Sequence, residues 1–83
     1  MTNKRKHQLE REVRINFRNF NDIIYPKYVW IDFLEQITRL MLDRIQLLRY
    51  TRRLNIIEAR FMAQCVRTYY WYYILEIDKN FFD

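Results

Sequence analysis

His7 and Cys65 are the side chains of this chain best suited to soft-metal binding or nucleophilic chemistry, and there is one of each. A structural or catalytic zinc site takes three or four protein ligands, so these two alone do not make one. A Cys–His nucleophile pair needs both groups to meet beside a third that orients the base. Nothing in the sequence supplies that third group. His7 is expected on the surface, in the basic run Lys4-Arg5-Lys6-His7, and Cys65 as a small apolar residue on a helix face. Asp32, Glu35 and Asp43, or Glu76 with Asp78, could move protons, but isolated carboxylates belong by default to a solvated face. The chain has no glycine and no serine. Phosphate-cradling glycine loops and serine-nucleophile triads are therefore excluded. The expectation is a chain with no catalytic residue, no cofactor, no metal and no small-molecule substrate.

A different chemistry is better represented. Eleven of the fifteen basic residues are arginine, and 18% of the chain is aromatic. Arg49, Arg52, Arg53, Arg60 and Arg67 stand beside Tyr50 and Tyr69, and the run Tyr69-Tyr70-Trp71-Tyr72-Tyr73 follows. Guanidinium planes and rings together contact RNA backbones and bases. They equally make cation–π contacts and bidentate ion pairs between proteins. Arg, Tyr and Trp are enriched at interface hot spots, whereas Lys is depleted there. Lysine is scarce here, which favours a protein partner over RNA. Tyr and Trp also suit the lipid headgroup region, so anionic lipid headgroups are a further expected contact.

Long helices must position these groups. Without glycine or serine, and with Pro26 as the sole proline, tight turns are few and strands are disfavoured. The expected fold is all-α: a short basic N-terminal helix followed by a long helical hairpin, or one long bent helix, not an independent globular domain. Leu9, Val13, Phe17 and Phe20 fall on one face of a helix over about 4–20, with Thr2 or Asn3 as its cap. Asn21-Asp22 and Pro26 mark a turn at 21–25. Trp30, Leu34, Ile37, Met41, Ile45 and Leu48 stripe a helix over about 26–52, widened by Phe33, Leu40 and Leu47.

The apolar phase changes at 49–55, and Asn55 with Glu58 has capping-box spacing. A third helix over about 56–78 follows, striped by Leu54, Ile57, Phe61, Cys65, Tyr69, Tyr72 and Leu75. The acids Asp78 and Asp83 and the pair Phe81-Phe82 suggest a short apolar tail at 79–83. If 49–55 continued as helix, Arg39, Gln46, Arg53, Arg60 and Arg67 would recur every seven residues along one face.

Eighty-three residues make at most one small domain. Such a chain buries only about 60–65% of the surface it exposes unfolded. Half of its residues are apolar, at 51%, more than three short helices hide among themselves. The surplus implies a partner. The net charge of +5 is divided into two basic zones, 1–20 and 49–67, alternating with two mildly acidic ones. No apolar run approaches the ~20 residues of a membrane span. Residues 1–14 hold no signal-type apolar stretch, and Glu10 and Glu12 disfavour a transit peptide, so no cleaved leader is expected.

These features together point to a non-catalytic accessory subunit of a large multi-protein assembly. A respiratory-chain or ATP synthase complex, with the chain peripheral to the mitochondrial inner membrane, is the first setting expected. The alternative is a small RNA-binding subunit of a ribosome or other ribonucleoprotein. The residues expected to touch the partner are Trp30, Arg53, Arg60, Arg67, Tyr69, Tyr70, Trp71, Tyr73, Phe81 and Phe82. The five-ring run cannot all face inward, since five consecutive helical residues circle the axis. Tyr69 and Tyr72 are expected on the chain's own stripe, with Tyr70, Trp71 and Tyr73 left for a partner.

Overall fold

The computed structural model describes residues 1–18 and 27–81, with side chains described at 1–17 and 29–76. Among the described residues there are three helices and no strand: α1 (Asn3–Arg18), α2 (Lys27–Tyr50) and α3 (Ile56–Phe81). The turn expected at 21–25 lies outside the described residues, as does Pro26.

The interval after α2 turns, so α2 and α3 form an antiparallel hairpin. One continuous helix over 26–81 would run to roughly 80 Å at ~1.5 Å per residue, whereas the longest extent of the molecule is 45 Å. The turn is built without glycine. Arg52 takes φ 62°, the left-handed region. Its N–H donates to the Arg49 carbonyl at 3.0 Å, and the Arg53 N–H reaches back to Leu48 at 2.9 Å. That pair of bonds is a Schellman cap, which satisfies carbonyls the helix end would otherwise leave open. Helix α2 therefore stops at Tyr50 rather than 52. Asn55 then caps α3. Its Oδ1 accepts from the Glu58 N–H at 2.8 Å, and Glu58 Oε1 accepts from the Asn55 N–H at 3.1 Å. The capping box expected from spacing is reciprocal.

Helix α1 is capped by Thr2, whose Oγ1 accepts from the Arg5 N–H at 3.2 Å. It runs parallel to α3: Arg5 meets Glu58 near the start of α3, and Phe17 stacks on Tyr69 and Tyr73 farther along. Helix α3 is thus the central element, with α2 on one flank and α1 on the other, while α1 and α2 barely touch.

The core is drawn from all three. Leu9, Val13 and Phe17 are buried from α1, and Trp30, Leu34 and Ile45 from α2. Leu54, Ala59, Met62 and Val66 close it from the turn and α3. At the described positions the α1 and α2 stripes match the sequence periodicity, Phe20 lying outside the described residues, although the widening residues Phe33, Leu40 and Leu47 are exposed. On α3 the inward face differs from expectation. Ile57, Tyr72 and Leu75 are 60%, 55% and 65% exposed, and Ala59, Met62 and Val66 face inward instead. The covered face is rotated by roughly a third of a turn at 100° per residue. Two flanking helices cover α3, and the small Ala59 is buried on the covered side.

The C-terminal end also differs. Helix α3 continues to Phe81 instead of ending near 78 in an extended tail. Acids near a helix C-terminus cost only about 0.3–1 kcal/mol. No glycine or proline between Glu76 and Phe81 is present to break the helix. Phe82 lies outside the described residues.

Candidate docking face on α3

The aromatic run divides by what lies on each side of α3. Tyr69 and Tyr73 turn toward α1, where both stack on the fully buried Phe17 at ring-centroid distances of 5.7 Å. Tyr70 turns toward α2 and lines a shallow hollow with Glu35, Thr38, Arg39 and Leu42. All three pack on the core. Trp71 and Tyr72 face away from both helices, at 62% and 55% exposure. Of Tyr70, Trp71 and Tyr73, the three assigned outward from the sequence, only Trp71 is exposed. Tyr72, expected inward, joins it outside.

The same outer face carries Arg60 and Arg67, both exposed and without an ion pair among the described residues. Arg53, also exposed, sits in the turn just before the helix. Spacings of 7, 4 and 4 place Arg60, Arg67, Trp71 and Leu75 within one arc of the helix. No acid lies on this arc between Ile57 and Leu75. The face therefore joins open guanidinium groups to large apolar side chains. Trp71 and Tyr72 alone leave on the order of 200 Å² uncovered, from ~150–250 Å² per ring. Trp30, by contrast, lies in the core at 9% exposure, which leaves almost none of its surface for a partner.

Two polar ties hold α1 against α3 and so fix what the outer face can be. Arg5 Nε donates to Glu58 Oε2 at 2.5 Å, and the Arg5 hydrogen bond, followed by that from the Asn55 backbone, holds the Glu58 carboxyl below its usual range. The Tyr69 hydroxyl donates to Glu10 Oε1 at 2.5 Å. Burial first, then that bond to a carboxylate, pushes the Tyr69 hydroxyl up to about 12. Glu58 and Glu10 are thus engaged within the molecule.

The chemistry-bearing residues do not assemble. Cys65 lies in a surface hollow with Glu10, Phe61, Gln64 and Tyr69. Burial and then Glu10 push its thiol up, the opposite of what activates a nucleophile. His7 is exposed on α1. Among the described residues no three His, Cys, Asp or Glu side chains gather as a metal site, and no helix is long and apolar enough to cross a membrane.

The sequence reading missed the trench where α1 and α2 stand apart. It is a cavity of about 260 Å³ lined by Val13, Met41, Ile45, Leu48 and Met62, with Arg44 at its rim. No spacing rule announces it, because it depends on how far two helices splay. Comparison with protein families, characterised proteins and solved structures finds no match to the chain.

Proposed function

We propose that this chain is a non-catalytic docking subunit of a larger assembly, and that the outer face of α3 is where it binds. One observation carries the proposal. Eleven large apolar side chains are exposed among the described residues, against ten buried apolar ones. Isolated exposed apolar residues are ordinary, but contiguous patches mark interaction sites. Trp71, Tyr72 and Leu75 form such a patch, and Arg60 and Arg67 flank it. Aromatic and arginine side chains clustered in this way are the usual hot-spot composition. The setting to test first, on composition alone, is a respiratory-chain or ATP synthase complex of the mitochondrial inner membrane.

The test is incorporation. The tagged chain and its Trp71→Ala and Arg60→Glu/Arg67→Glu variants are expressed in the native host, and complexes are separated on native gels. Wild type is expected in a large species, with both variants reduced in it. A wild-type chain that migrates alone, or variants that incorporate equally, would overturn the proposal. Binding to RNA that falls steeply with salt, as phosphate contacts require, would replace it with the ribonucleoprotein alternative.

A further inference from the structure

The outer face of α3 has an internal period that names the kind of partner. Ile57, Phe61, Gln64, Thr68, Trp71 and Leu75 succeed one another at 4, 3, 4, 3 and 4 residues. This is the d-a-d-a-d-a spacing of a coiled-coil seam. On that register Arg60 and Arg67 both occupy g positions, while Arg53 lies in the turn ahead of the helix. Ile57, Trp71 and Leu75 are 60%, 62% and 65% exposed, and Gln64 and Thr68 between them are exposed too, while Phe61 is half-buried against the core. The Thr68 hydroxyl is satisfied by the Gln64 carbonyl at 2.9 Å, which leaves its methyl group for packing. Gln64 is then the single amide in the seam, a feature that fixes register in paired helices.

We propose that this seam receives an acidic amphipathic α-helix of another protein, with carboxylates set to meet Arg60 and Arg67. The proposal rests on the docking role of α3 and names its partner class. Charge selects the occupant. Residues at g meet e positions of a parallel partner or g positions of an antiparallel one. A second copy running antiparallel would oppose arginine with arginine. A parallel copy would set Arg60 against Cys65 and Arg67 against Tyr72, neither of which carries a compensating charge. The acid at the first e position, Glu58, is already held by Arg5 and Asn55. Glu10, on the other side of the seam, is held by Tyr69. Glu35 and Asp43 of α2 make no ion pair with Arg60 or Arg67. Both arginines are therefore open to carboxylates from outside.

The experiment uses the full chain and a labelled synthetic helix of three heptads, with leucine at a and d and glutamate at e and g. Comparators are a scrambled peptide of the same composition, a lysine-for-glutamate helix, oligouridylate, and phosphatidylglycerol vesicles. The glutamate helix is expected to bind at least about tenfold more tightly than any comparator, a difference of ~1.4 kcal/mol. Arg60→Glu/Arg67→Glu, whose fold is checked by circular dichroism, should lose that binding and gain the lysine helix. Equal binding of the scrambled peptide, RNA or vesicles overturns the proposal, as does undiminished binding by the double variant. So does a dimer of the free chain in sedimentation that Trp71→Glu abolishes. If any of these occurs while Trp71→Ala still removes the chain from its native complex, docking through α3 stands and the acidic-helix partner falls. If Trp71→Ala leaves native incorporation unchanged, the docking role itself falls.

Discussion

The Tyr69 hydroxyl donates to Glu10 Oε1 at 2.5 Å and joins the middle of α3 to α1. A phenol raised to about 12 in the folded chain, from an ordinary value of 10, is stabilising while it stays protonated. Its contribution is complete below pH 10 and is lost as pH rises through about 12. Urea melts in that alkaline window should show wild type losing stability faster than Tyr69→Phe. The phenylalanine variant keeps the ring stack on Phe17 but lacks the titrating group. Equal alkaline slopes for the two proteins would dissociate the bond from stability.

Glu58 makes the matching acid-side prediction. Its carboxyl caps α3 through Asn55 and binds Arg5 of α1. A carboxyl held below its ordinary 4.5 stabilises the fold above that value, and the stabilisation disappears as pH falls through the lowered one. Glu58→Gln keeps an acceptor for the cap but loses the charge facing Arg5. Its acid unfolding limb should be flatter than that of wild type. Asn55→Ala removes the other half of the box and should cost about 1 kcal/mol at neutral pH.

The turn between α2 and α3 offers a stabilising change. Arg52 holds φ 62° with a Cβ present, a conformation that costs a non-glycine residue roughly 1–2 kcal/mol. Arg52→Gly should raise the unfolding free energy by about 1 kcal/mol. Thermal melting should move up by roughly 4–8 °C in a chain of this size. Arg52→Val, β-branched at the same position, should move it down.

What was legible in the sequence follows from which forces act locally. The α1 and α2 stripes were readable because each helix packs mainly on one neighbour, so one apolar arc suffices. The Asn55–Glu58 box was readable because capping joins residues three apart. The inward face of α3 was not, because two helices cover it and the buried positions include the small Ala59. Choosing the largest side chains at helical spacing therefore selected Ile57, Tyr72 and Leu75, which form the outer face. The Schellman turn was hidden for a simpler reason: Arg52 occupies the place where glycine is the expected signal. The seven-residue repeat of Arg39, Gln46, Arg53, Arg60 and Arg67 needs one continuous helix; because the chain turns between Tyr50 and Ile56, only Arg60 and Arg67 share a helix face on α3.

Thr38 marks a polar defect in the α2–α3 interface. Its Oγ1 is buried and has no hydrogen-bond partner among the described residues. An unsatisfied buried hydroxyl costs roughly 1–3 kcal/mol. Thr38→Val replaces it with a methyl group of nearly the same shape. Chemical denaturation should show a gain of about 1 kcal/mol with an unchanged m-value. A loss would indicate that the hydroxyl is satisfied in solution.

Trp71→Ala separates binding from folding. The ring is 62% exposed and lies away from α1 and α2, with an edge-on contact to Tyr70 at 5.7 Å as its one ring contact among the described residues. Removing it should change the unfolding free energy by no more than about 0.5 kcal/mol, as for other surface substitutions. Phe17→Ala, at a ring with no exposure that stacks on Tyr69 and Tyr73, should cost ~3–5 kcal/mol. If the outer face of α3 is a hot spot, the order reverses for partner binding. Trp71→Ala should then weaken association by over ~2 kcal/mol while its melting curve overlays wild type. A stability loss comparable to that of Phe17→Ala would instead make Trp71 part of the chain's own packing.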